Sequence, residues 1–228
     1  MDNKLLIIIV AAVIAIAAIA VAVFATGNGD NGGNGVPSVD DSVTGTVNVN
    51  DYISYGDQFT MKVSSVNGDK LTVLKNTESV EMTKSEFIKS MSASSLLDEM
   101  KKEASSVDNM KIEKISSLKF DEEKTINGHT FKIYHSDFEG GAKSSESGMD
   151  LEFDAKGTLK FYIDEKGITQ MIRTTITDVE FDLGGLTPEQ QALVNLFIDA
   201  LKAELVGHST DEPLATNLSF VTVIPVTD

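Results

Sequence analysis

The sequence predicts an α+β domain, a curved, largely antiparallel and half-barrel-like β-sheet packed on helices and preceded by one transmembrane helix. Three observations carry this. A run of twenty-one apolar residues, Leu5 to Ala25, opens the chain. Alternating apolar and polar residues punctuated by Asn-Gly and Asp-x-Lys-Gly turns dominate the remainder. Two segments carry helix-start signals in front of apolar runs.

Leu5 to Ala25 contains no polar side chain. At about 1.5 Å per residue it makes a helix of roughly 31 Å, the thickness of a bilayer's hydrocarbon core. A cleaved signal peptide has an apolar core of about 7–15 residues followed by a small-residue cleavage site. Here the run is longer, and Ala20-Val21-Ala22 lies inside it. An uncleaved single-pass anchor is therefore favoured. Lys4 precedes the run and no Lys or Arg follows until Lys62, so the positive-inside rule places the N-terminus in the cytoplasm and the rest of the chain outside. The expected localisation is the cytoplasmic (plasma) membrane. The expected organisation is a short cytoplasmic N-terminus (1–4), the span (5–25), a Gly/Asn-rich linker (26–37) and an extracytoplasmic domain (38–228). The linker reads TGNGDNGGNG and lacks the ordered acidic spacing of a calcium loop, which leaves a flexible spacer.

The net charge of −16 falls almost wholly on the domain, which disfavours nucleic acid and anionic lipid surfaces as partners. Arg173 is the single arginine, and cysteine and tryptophan are absent. Disulfides, thiol chemistry and a lipidated-cysteine anchor are thereby excluded, as is an arginine cluster for phosphate.

Phe59, Met61 and Val63 alternate with polar residues, and Asn67-Gly68 turns the chain into Leu71 to Leu74. Thr83 and Glu86 form a capping box before Phe87, Ile88 and Met91. Leu96, Leu97, Met100 and Ala104 lie on the opposite side of the same wheel, which predicts two short helices broken at Ser92 to Ser95, with Ser95 capping the second. Asn127-Gly128 opens the strand His129 to His135. Met149 to Ile163 reads as a hairpin with the loop Ala155-Lys156-Gly157 and Glu152 opposite Lys160. The strand Ile168 to Leu183 changes apolar phase near Thr177-Asp178, which predicts a bulge there. Thr187, Pro188 and Gln190 start a helix that Gly207 ends. Its apolar arc is about twice the ~100° of a surface helix, so apolar neighbours are expected on more than one side. Leu218 to Val226, apolar on both faces, reads as a central or covered strand.

NGHTFKIY followed by GTLKFYIDEKGITQMIRTTITDVEFD resembles the core strands of LolA-like and LppX-like lipoprotein-carrier domains, over about Lys111 to Asp182. The resemblance implies a half-barrel that shelters acyl chains or other apolar ligands against helices. This chain departs from lipid-anchored members in lacking the anchor cysteine. The resemblance transfers no site residues.

Candidate chemistry is sparse. His129 and His135 lie about 20 Å apart on one extended strand, too far to share a metal ion. His208 follows a helix end, where a cation suits the dipole. Asp150, Glu152 and Asp154 share one strand face, which reads as a solvated face balanced by Lys160. Asn217-Leu218-Ser219 is an N-glycosylation sequon at the start of the apolar strand. No nucleophile elbow, phosphate loop or dinucleotide motif occurs. The expectation is a binding protein rather than an enzyme, without metal or cofactor. It would sequester a lipid or other apolar small molecule between sheet and helix, in a cavity lined by Phe153, Phe161, Leu193, Phe197 and Leu201. The alternative is a structural or protein-interaction module of the cell envelope, with envelope proteins as partners and no small ligand.

Overall fold

The fold is carried by strands that zip in sequence order and then meet in the middle. The computed structural model describes residues 35–56, 59–75, 78–103, 110–146, 149–184 and 187–227. Its strands are β1 (Tyr52–Tyr55), β2 (Phe59–Asn67), β3 (Lys70–Lys75), β4 (Glu78–Thr83), β5 (Met110–Ile115), β6 (Lys119–Ile126), β7 (His129–Glu146), β8 (Met149–Ile163), β9 (Thr169–Gly184) and β10 (Ser209–Thr216). The helices are α1 (Lys84–Lys89), α2 (Ala93–Glu103) and α3 (Pro188–Leu205). All pairings are antiparallel, in the order β4-β3-β2-β1-β10-β9-β8-β7-β5, with β6 also on β7. β10 joins the halves: Leu214 to Thr216 pair with β1, and Ser209 to Pro213 pair with β9.

The expected α+β, half-barrel-like class is thereby corrected. The chain is mostly antiparallel β, 52% strand against 19% helix, in a sheet that stays open at β4 and β5. Among the described residues no helix is long and apolar enough to cross a membrane. Leu5 to Ala25 lies outside them.

One face of the sheet holds the main core. Ile53, Tyr55, Phe59, Met61, Val63, Leu71 and Val73 meet Leu159, Phe161 and Ile163 there, under Phe87 and Ile88 of α1 and Leu96, Leu97 and Met100 of α2. The helix break makes this possible by turning both apolar groups inward. The Thr83 capping box is present, its hydroxyl accepting from Glu86 N–H. In return Thr83 N–H and then its hydroxyl donate to the Glu86 carboxylate, at 2.6 and 2.9 Å, and hold that carboxyl below the usual range. The second helix is capped by Ser92 rather than Ser95: Ser92 Oγ accepts from Ser95 N–H at 3.2 Å. A strap of residues 36–50 closes the core with Val39, Val43 and Val47. At Gly167 (φ +77°) a β-carbon would run into the Ser38 carbonyl, so glycine alone lets strap and turn touch.

The other face carries a smaller cluster of Ile126, Phe131, Ile133, Tyr162 and Met171, against which Ile224 and Val226 pack. The C-terminal segment reaches it from the main core, where Leu218, Phe220 and Val221 sit. It is therefore apolar on both sides because it passes from one face of the sheet to the other. The expected strand Leu218 to Val226 does not form. Buried Gln170 pins the segment instead, accepting from Ile224 N–H at 2.9 Å and donating to Thr222 O at 3.0 Å.

The expected hairpin in Met149 to Ile163 is also absent: β8 is one continuous strand between β7 and β9. Gly157 is not a turn residue. The Phe138 ring fills the space its β-carbon would need. Glu152 accordingly pairs with Lys143 at 2.5 Å, and Lys160 with Asp121 at 2.7 Å. The bulge is where the phase switch put it. Lys156 pairs with Asp178 and Gly157 with Ile176, leaving Thr177 as the extra residue.

Candidate functional site

The far end of β8 and β9 is where α3 lies. β10 pairs with β9 only up to Thr175, so the stretch from Ile176 onward lacks that neighbour. The chain leaves β9 at Gly184, enters α3 at Pro188 and returns to Ile176. There Gly207 N–H donates to Ile176 O at 2.8 Å, and Ile176 N–H to His208 O at 3.3 Å. An 18-residue helix of about 27 Å thus runs back along about 26 Å of strand. Gly207 takes φ +84° to end it.

Beneath the C-terminal part of α3 is an apolar cluster separate from the main core. Phe153, Ala155 and Val179 are buried, with Ile176, Phe181 and Leu205 against them. The register sets Phe153 opposite Phe181 and Ala155 opposite Val179. The two phenyl rings lie 4.9 Å apart, tilted by 50°. Gly140 stands opposite Ala155 on the other side, so small residues flank the aromatic pair. Ile176 touches both this cluster and the main core.

α3 is apolar on two sides. Val194 is buried, Ile198, Leu201 and Leu205 are half-buried, and these share one side of the helix. Leu196 is 73% exposed and Phe197 38%. Ala200 is exposed beside them. The expected wide arc is thus divided between an inner half over the sheet and an outer half in solvent.

The five residues expected to line one cavity are distributed as follows. Phe153 lies under α3. Phe161 shares its strand face but sits eight residues along β8, fully buried in the main core with Leu159 and Ile172. Leu201 is on the inner side of α3, and Phe197 on its rim. The side chain of Leu193 lies outside the described residues. Phe181, Val179 and Leu205 belong to the site and were not among the five. The odd apolar phase Val179, Phe181, Leu183 is the sequence signal for the first two, and the wide apolar arc of the helix is the signal for Leu205.

The opposite face of this end is a lattice of ion pairs in which Lys156 bridges Glu139 and Asp178 at 3.6 and 3.7 Å. Those two carboxylates, Glu139 first, raise its pKa. Lys160, by its hydrogen bond, lowers that of Asp121, and His135 Nδ1 stands 3.8 Å from the same residue. Asp211 takes both Arg173 Nε and Nη2 at 2.6 and 2.8 Å. Tyr55 is buried, donates to Thr169 O at 2.7 Å, and has a pKa pushed well up by burial and then by Asp164. An open groove of about 320 Å³ between Pro37–Asp41 and Glu165–Gly167 is polar. Asp164 beside it is consumed by Lys166 N–H, Ile168 N–H and Gln170 Nε2. Among the described residues no three or more His, Asp or Glu side chains come together to hold a metal ion.

Compared with protein-family models, curated proteins and solved structures, the chain has no match.

Proposed function

We propose that this chain is a membrane-anchored extracytoplasmic binding domain that holds an apolar ligand, of the acyl-chain or isoprenoid class, between α3 and the Phe153 end of the sheet. Leu5 to Ala25 is the anchor in this reading, with the N-terminus in the cytoplasm. The observation that carries it is the two-sided apolar character of α3 over an aromatic pair that is separate from the main core. A helix held by its inner half and by backbone bonds at one end can lift to admit a chain. The rigid sheet beneath stays intact, because its stability resides in the main core.

A second reading, a protein-interaction module of the cell envelope, is favoured by one specific observation. Leu196 is exposed on the outer side of α3 and Phe197 is partly exposed at its rim, where a partner protein could cover them.

One experiment separates the two. The domain from Val36 onward, whose core lies within the described residues, is purified gently and examined by native mass spectrometry and organic extraction. A co-purifying apolar species near one per chain is expected, and it should persist in Leu196→Glu. A bare polypeptide mass that also ignores added fatty-acid and isoprenoid probes would abandon the ligand reading for the interaction module. Surface changes of this kind shift stability by only about 0.5 kcal/mol, so loss of fold will not confuse the result.

A further inference from the structure

The sequon Asn217-Leu218-Ser219 is not in a strand. β10 ends at Thr216, and the chain turns at once, with Val221 N–H donating to Leu218 O at 3.0 Å. Leu218 is buried at 3% exposure, whereas Asn217 and Ser219 are both exposed. The middle residue therefore anchors the triplet, while the two residues on either side of it, Asn217 and Ser219, are solvent-exposed. That is the pair of groups an N-glycosyl transferase reads.

We propose that Asn217 is an N-glycosylation site whose co-substrate is a lipid-linked oligosaccharyl phosphate or diphosphate. In the transfer, the Nδ2–C1 bond forms and the C1–O bond to the phosphate breaks. The lipid phosphate leaves with the electron pair, and one Nδ2 proton passes to a base of the transferase. No oxidant or reductant is needed. The native contacts of Asn217 survive this chemistry. Its Oδ1 accepts from Tyr52 N–H at 2.9 Å, and that oxygen is untouched by substitution at nitrogen. Its Nδ2 donates to Asn50 O at 3.4 Å, and the substituted amide retains one hydrogen for that bond. The site is at the β1–β10 seam, away from α3, so a glycan there leaves the binding helix open.

This inference rests on the extracytoplasmic reading, since the modification occurs only outside the cytoplasm. The test is made on the full chain isolated from the membranes of its source cells, with tandem mass spectrometry of the peptide that follows Lys202. Protease accessibility of the domain is measured in parallel on intact cells. The expected result is a mass increase of at least one sugar on Asn217, lost in Ser219→Ala and kept in Ser219→Thr. Unmodified Asn217 on a domain that external protease reaches would overturn the site and leave the location standing. Unmodified Asn217 on a protected domain would overturn both.

Discussion

Replacing Lys75 by alanine should destabilise the domain by about 3–5 kcal/mol, the cost of leaving one member of a buried ion pair without the other. Lys75 ends β3 with its side chain 8% exposed, and its ammonium meets the Glu99 carboxylate of α2, 15% exposed. The pair stitches the helix to the sheet inside the main core. Its loss should lower the thermal midpoint on the order of 10 °C. The double replacement Lys75→Met with Glu99→Leu should recover most of that loss, because neither charge is then stranded. Denaturant titration of the three proteins checks this. A single-variant cost under about 1 kcal/mol would mean that water, rather than the partner, satisfies these charges.

Phe161→Ala should cost a similar amount, about 3–5 kcal/mol, as a cavity-forming truncation in a fully buried ring site. Phe161 is nowhere exposed and packs among Leu159, Ile163 and Ile172 in the main core. Urea unfolding of Phe161→Ala beside Phe197→Ala makes the contrast direct. The rim residue Phe197 should change stability by less than about 1 kcal/mol. A near-neutral Phe161→Ala would instead place that ring against open space, as the sequence alone suggested.

That contrast shows which features were readable. Local chemistry was: the Thr83–Glu86 box and the paired positive φ of Asn127 and Gly128 each follow from bonds or torsions within a few residues. The Thr177 bulge was legible because a phase switch must be absorbed somewhere. What failed depended on distant partners. Gly157 looked like a turn glycine, but it is glycine because the Phe138 ring crosses it from β7. β10, with the sequence STDEPLAT, has only Leu214 buried and so no alternation to detect. β1 and β9 impose its extended form from either side. Leu218 to Val226 has a strand's composition, yet it follows the edge of two hydrophobic surfaces and takes its hydrogen bonds from Gln170. The site was half legible for the same reason. Phase alone puts Phe153 and Phe161 on one face. Only the return of α3 to Ile176 decides that the helix covers the first and leaves the second to the core.

The outer half of the α3 arc fits the same logic. A sequence can show that a helix is apolar around half its circumference, but the sheet beneath occupies only one side of it. Leu196 and Phe197 are what remains. Lifting α3 would expose the inner half instead, Leu201 and Leu205 together with Phe153 and Phe181 beneath them.

The most direct test is photolabelling with a fatty acid bearing a diazirine in its chain, followed by peptide mapping of the crosslinks. Labels are expected to concentrate in α3 and in the strand segments around Phe153 and Ile176 to Phe181, and to be suppressed by excess unlabelled fatty acid. Labels spread evenly over the surface, or confined to residues outside these segments, would contradict the ligand reading.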